Sequence, residues 1–534
     1  MQSSLSTVTF NLGAVPWAVL SVLRRQNVLL VEPSIPLLRV VSRLRYLLQG
    51  PELVQQAHTT EGAYAIPTPE GYQVHFSSRE HIKQLVQAPD THLSLHALAK
   101  DMFQPKYTMN GLGFDDTMSA NGTVHQRALQ AELRAALPAL SRPLNDCIAT
   151  ALAAEIGEGQ SSGGWRARPI FPMAKRMITA ANALIFFGPD VSTDATFLDA
   201  ALEYPEHLME TAEALRLLPG WLAPYAAPYL MRRHRALRIL LDRLTPIVEG
   251  RIRDPESAAK HADCIQFFVN AAARKHQQRE WPARRIIQVL LGVWFASVHQ
   301  PAMCLFYALD DLCLHPEYVP ALRAEVRAAS AASGEAHAPR LLPNPAHLPL
   351  LTSFLKESAR LHPTDSISLR RKVVQPWVLS DGTSLAKDDV ACIPLQPILR
   401  DPALYSNPLT FDPYRFIRSS RSRSSSSTQR PQSEAPPPTH TTPPKHTVVT
   451  TTSDFTDADA TFPIWGLGKR ACPGRYYASL LLKLVLAQIL LQYEVKLPVE
   501  GSQRPEKRYF YWRSAIVPKA GAVLMFRERD TVEA

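Results

Sequence analysis

The sequence predicts a mainly α protein with one long central helix and a small β region, and three observations point there. Apolar residues recur at helical spacing over residues 128–140, 178–187, 236–252 and, longest of all, 282–314. Prolines number 45 against 22 glycines, which suits a chain of many abruptly ended helices. With 534 residues, 46% hydrophobic and 20% charged, the chain can bury a large core without disulfide or metal staples.

Each element follows in order. The apolar run 10–23 (FNLGAVPWAVLSVL) precedes Arg24 and Arg25. It is shorter than the ~20 residues a membrane span needs. Extension back through Thr7, Val8 and Thr9 lengthens it, and the basic pair would then face the cytosol. A second apolar patch, 28–41, is broken by Glu32, Pro33 and Pro36 and reads as interfacial. Residues 1–48 are therefore expected to form a membrane-associated segment and 49–534 the folded domain, with a buried amino-terminal helix as the open alternative. Residues 64–76 (YAIPTPEGYQVHF) read as a hairpin turning at Pro69, Glu70 and Gly71.

The central segment PARRIIQVLLGVWFASVHQPAMCLFYALDDLCL is apolar nearly all round. His299, Gln300, Pro301, Asp310 and Asp311 suit it poorly to lipid, so it is expected to cross the protein core. Further on, Ser, Thr, Pro and Arg dominate and offer little to bury. A disordered surface insertion is expected at about 418–459.

Six cysteines (Cys147, Cys264, Cys304, Cys313, Cys392, Cys472) lie far apart with no CxxC pair, which points to a reducing compartment. The net charge of +10 favours an acidic protein partner or an anionic membrane surface. Basic residues do not interleave with aromatics, and no zinc-finger or RNA-recognition motif occurs, so no nucleic-acid partner is expected.

The strongest chemical signal is WGLGKRACPG at 465–474, followed by the apolar helical run RYYASLLLKLVLAQILLQY. A thiol at a helix start meets unpaired backbone N–H groups and the positive end of the dipole, which favour the thiolate and suit it to bind a metal. Gly466 and Gly468 permit a tight loop and the close approach of a flat cofactor. This segment resembles the heme-binding signature of the cytochrome P-450 family, with Trp465 where phenylalanine is usual and Gly468, Arg470, Cys472 and Gly474 at the other fixed positions. The resemblance makes Cys472 the proximal ligand of heme b, and Arg470 a partner for a heme propionate.

Two further motifs extend the resemblance. FLKESARLHP at 354–363 is similar to the family's Glu-x-x-Arg helix, and FDPYRF at 411–416 to its Pro-x-Arg-Phe element. The implied structural network is Glu357, Arg360 and Arg415. Arg370 stands where relatives place a propionate-binding basic residue, and His125 is a second candidate for that work. Segments 364–369 and 511–517 are the implied pocket walls. On the oxygen side the family usually shows Ala/Gly-Gly-x-Asp/Glu-Thr, whereas this chain has Ala296, Ser297, Val298, His299 and Gln300. The acid and alcohol that relay protons are replaced, and His299 with Gln300 are the expected substitutes.

The implied function is oxidation of a lipophilic small molecule, in the manner of fungal members acting on terpenoids and other secondary metabolites, with O2 and NADPH-derived electrons. No dinucleotide fingerprint occurs in the chain, so the implied donor is NADPH-cytochrome P-450 reductase, at the endoplasmic reticulum membrane with the catalytic domain in the cytosol. The missing acid/Thr pair leaves two alternatives open: an O2-independent heme-thiolate isomerase or dehydratase, and a non-catalytic heme-binding membrane protein.

Overall fold

The computed structural model of the chain describes residues 20–25, 28–33, 36–58, 62–109, 124–157, 164–274, 281–331, 348–419, 450–498 and 507–529. Its axis is the central helix Ala283–Leu314, 32 residues long as the periodicity predicts. Against it pack Ile170–Phe187, Arg235–Arg253, Pro349–Leu361 and Arg475–Gln492. Burial follows from the pattern: Ile286, Leu290, Trp294, Leu305 and Phe306 turn into one continuous apolar core with Ile178, Phe187, Leu481 and Val485. By length and composition both Ile170–Phe187 and Ala283–Leu314 could cross a membrane. The buried residues of both helices join the main core of the protein.

The β region lies to one side. Its largest sheet runs in the order Leu20–Arg25, Val28–Pro33, Ala63–Thr68, Gly71–Phe76, Val390–Ile393, Ser368–Val373, Leu93–Ser94. The expected hairpin forms as Ala63–Thr68 against Gly71–Phe76, antiparallel, with Thr68 opposite Gly71. Ser368–Val373 follows the Glu357 helix, and its register against Val390–Ile393 shifts between Ala391 and Ile393.

Two boundaries differ from expectation. The expected boundary at residue 48 falls inside helix Pro36–Ala57, which buries Tyr46 and Leu47 and accepts a hydrogen bond from Arg513 N at Leu47 O, 2.8 Å away. Residues 20–23 of the apolar run, and 28–33 of the second patch, are paired strands, while residues 1–19 lie outside those described. The insertion expected to reach 459 closes sooner. Ile417–Ser419 pairs antiparallel with Thr450–Thr452, and Phe455 is buried in the main core. Lys356 Nζ donates to Ser453 Oγ at 2.7 Å and to Asp454 O at 2.8 Å, fixing the return. Residues 420–449 lie outside the described residues.

Candidate heme-thiolate site

A cavity of about 960 Å³ lies between the central helix and the Cys472 loop. This is at the upper end of small-molecule sites, which run to ~1,000 Å³. Cys472 borders it at the start of Arg475–Gln492. The loop is tied down by its own backbone: Cys472 N donates to Trp465 O at 2.7 Å, and Trp465 Nε1 to Phe455 O at 2.6 Å. Gly466 and Gly468 take φ of +73° and +64°, the left-handed region open to glycine. A Cβ on Gly468 would also come within 2.6 Å of Val86 Cγ1. The predicted tight loop is therefore present, and glycine is required in it.

The electrostatics at Cys472 differ from the simple helix-dipole expectation. Burial pushes the thiol up, and the backbone N–H groups of Gly474 and Arg475 with the Arg475 guanidinium offset this only in part. The helix start alone does not ionise this cysteine. A coordinating metal would, since a ligating thiol loses its proton outright.

The polar edge of the cavity fits a dianionic flat group. Arg470 pairs with Asp90, and its Nη1 is buried with no hydrogen-bond partner. Arg371 lies nearby, 5% exposed, its pKa pushed down to about 10 by burial and by the Arg470 charge. Two crowded cations with an unsatisfied donor call for an anion. Arg370, the residue expected here, borders the cavity but gives its guanidinium to Asp365 at 3.0 Å. The cause is a β-bulge: Ala391 faces Arg371 and Ile393 faces Ser368, so Cys392 alone opposes Leu369 and Arg370. Leu369 absorbs the extra residue at φ +54°. A bulge re-aims side chains, and here it leaves Arg371 beside Arg470 while Arg370 pairs with Asp365. His125 lines the cavity too, held neutral with its pKa pushed down to about 4 by burial and by His96.

Beneath the cavity the predicted network is complete. Glu357 and Arg360 are fully buried. Arg360 Nε and Nη2 donate to the two carboxylate oxygens of Glu357, both at 2.8 Å, and Arg360 Nη1 reaches Leu399 O and Pro408 O at 2.7 and 2.6 Å. Arg415 Nε donates to both Glu357 oxygens at 3.0 Å, and Asp412 N to Oε1 at 3.0 Å. Two arginines and a backbone N–H thus saturate one carboxylate, and the loop 399–415 is stitched to the helix that carries it.

On the opposite wall Ala296, Ser297 and Gln300 line the cavity. His299 is not among the lining residues. It turns toward the ion pair of Lys175 and Glu206, and burial with the Lys175 charge pushes its pKa down to about 4 against the opposing Glu206. Of the two expected relay residues, only Gln300 borders the cavity. Of the two implied walls, 364–369 borders it and 511–517 does not. Sequence reasoning also missed Asn182 and Tyr477. Asn182 Nδ2 donates to Ser297 O at 2.8 Å, and Tyr477 Oη donates to Asn182 Oδ1 at 2.7 Å.

Comparisons with known proteins agree with this geometry. The sequence model of the cytochrome P450 family matches residues 143–523. Cytochrome P450 monooxygenase olcJ of Penicillium canescens is 28% identical over 84% of this chain and 78% of its own length. The ent-kaurene oxidase of Gibberella intermedia is 31% identical over 76% of this chain and 71% of its own. Among solved structures, the retinoic acid-bound cyanobacterial CYP120A1 aligns with a TM-score of 0.62 at 18% identity, covering 91% of this chain and 96% of that one. The cytochrome P450DA heme domain aligns with a TM-score of 0.68 at 16% identity, covering 96% and 98%. The chain belongs to the cytochrome P450 family and is a monooxygenase that binds heme b.

Proposed function

We propose that this monooxygenase oxidises a lipophilic small molecule, a terpenoid or related secondary-metabolite intermediate, using O2 and electrons that NADPH-cytochrome P-450 reductase delivers. The observation that carries the reading is the apolar cavity with Cys472 on one wall and the central helix on the other. The substrate class is supported by the relative named ent-kaurene oxidase. The proposed location is the endoplasmic reticulum membrane, with the catalytic domain facing the cytosol. Exposed Val40, Val41, Leu44 and Leu48 on Pro36–Ala57, and Trp221, Tyr225 and Tyr229 around Ala223–Leu230, support a membrane surface as partner.

When bound, heme supplies an iron centre at which dioxygen is activated by two electrons and a C–H bond is oxidised, the thiolate ligand favouring O–O cleavage. Cys472 would hold that iron through its sulfur. Arg470 and Arg371 would balance the propionates, and neutral His125, on the cavity lining, could donate a hydrogen bond to the group. Glu357, Arg360 and Arg415 keep the 399–415 loop in place under the cofactor. Ala296 leaves room beside the central helix, and the Gln300 amide, able to donate and accept at once, orients a water or a substrate hydroxyl for proton delivery. The test is turnover of a panel of diterpene hydrocarbons by purified protein with the reductase, NADPH and O2. An oxygenated product that requires all three is expected, and product formed without O2 would contradict the reading.

A further inference from the structure

We propose that Asn182 and Tyr477 are positioning residues, a side-chain brace that replaces the backbone donor removed by Pro301 and holds the Ser297 turn of the central helix to the helix that follows Cys472. In a continuous helix the carbonyl of residue 297 accepts from the N–H of residue 301. Pro301, inside Ala283–Leu314, has no N–H to give. The orphaned carbonyl needs another donor, because a buried backbone acceptor without one is costly.

Asn182 supplies it. Its Nδ2 lies 2.8 Å from Ser297 O and 3.2 Å from Ser297 Oγ, while Ser297 Oγ itself donates to Trp294 O at 2.8 Å. Asn182 is fully buried in the apolar helix Ile170–Phe187, where an amide is tolerated only if its own groups are satisfied. Tyr477 completes that account by donating to Oδ1 at 2.7 Å, and burial keeps its hydroxyl protonated and therefore a donor. Tyr477 stands at the start of Arg475–Gln492, and Arg475 Nη1 donates to Cys472 O at 2.9 Å. One series of bonds therefore runs from the Cys472 loop through Tyr477 and Asn182 to Ser297, spanning the two walls of the cavity.

The brace fixes where Ala296, Ser297 and Gln300 stand relative to Cys472. Its consequence for proton delivery rests on the proposed function; the brace itself rests on the hydrogen bonds alone. The experiment keeps the two apart. Hydrogen exchange of the backbone amides of residues 298, 299, 300 and 302 is measured in the full-length holoenzyme, and hydrogen peroxide released per NADPH is measured alongside it. Asn182→Ala is expected to speed exchange there roughly tenfold and to raise peroxide release, with the CO-bound spectrum unchanged.

The decisive variant adds Pro301→Ala, which restores the N–H that bonds Ser297 O. In that double variant exchange is expected to return to within about twofold of the parent. A void left by the missing amide would not be relieved by Pro301→Ala, so additive effects would overturn the brace, as would unchanged exchange in Asn182→Ala. Asn182→Asp keeps the size and the acceptor for Tyr477 but removes the donor, and it serves where the alanine variant folds poorly; it too is expected to be rescued by Pro301→Ala. Failure of the heme reading would appear in the CO-bound spectrum of the parent protein, leaving the exchange result to stand separately.

Discussion

The two walls of the cavity are built in different ways. On the Cys472 side, the cysteine and the structural network are held by bonds within one loop or within a motif whose members meet at one carboxylate: Cys472 N to Trp465 O, Arg360 and Arg415 to Glu357. On the central-helix side, the functional turn is held by side chains from distant segments, Asn182 lying 115 residues before Ser297. The first wall is over-determined and rigid. The second is held at Ser297 chiefly through Asn182, so substitutions there are expected to alter chemistry without unfolding the protein.

The largest expected effect lies under the first wall. Glu357→Ala strands two arginines, one of them fully buried, and removing one partner of a buried pair costs about 3–5 kcal/mol. Little heme-loaded protein is expected when expression and Soret absorbance are measured together, and normal heme content would remove the contrast between the walls. A smaller effect separates Arg371 from Arg370. Arg371→Ala is expected to lower heme retention during gel filtration more than Arg370→Ala, because Arg370 is engaged by Asp365. The reverse order would return the propionate role to Arg370.

Next comes the second wall. Gln300→Ala is expected to raise peroxide release per NADPH several-fold while leaving the CO-bound spectrum intact, whereas His299→Ala, on a side of the helix turned to Lys175 and Glu206, should change coupling less. Equal effects would place both residues in the relay.

The smallest effect lies outside the cavity. His75 is buried and stacked on Tyr64 at 4.8 Å, and burial with the neighbouring His58 pushes its pKa down to about 3. The unfolded chain then binds a proton near pH 6.5 that the folded chain refuses. The stability His75 contributes is therefore fully present above about pH 6.5 and is lost as pH falls toward 3. His75→Gln is expected to flatten the melting temperature between pH 6.5 and 4.5. A slope identical to the parent would show that other groups set it.

What the sequence made legible follows the same division. The long helix, the hairpin and the Glu357, Arg360 and Arg415 network were readable because each is encoded by local period or by a short motif. The pairing of Arg370 with Asp365 beside a buried Arg371 was not, since it depends on the left-handed φ of Leu369 and a bulge opposite Cys392, which no local pattern announces. Pro301 does announce an orphaned carbonyl at Ser297. That Asn182 is its donor depends on how two helices pack, which sequence spacing does not contain. His299 was expected at the cavity on motif register alone, and the helix rotation places it against Lys175 and Glu206 instead. The early closure of the 418–459 insertion depends on the buried Lys356, whose partners lie 97 and 98 residues onward.

The chemistry proposed for the cavity rests on sulfur ligation of heme iron by Cys472. The most direct measurement is the absorption spectrum of purified, dithionite-reduced protein with carbon monoxide, taken for the parent and for Cys472→Ser. The parent should show the strongly red-shifted Soret band of thiolate ligation and the serine variant should lack it; a parent without that band, or a variant that keeps it, would contradict the account.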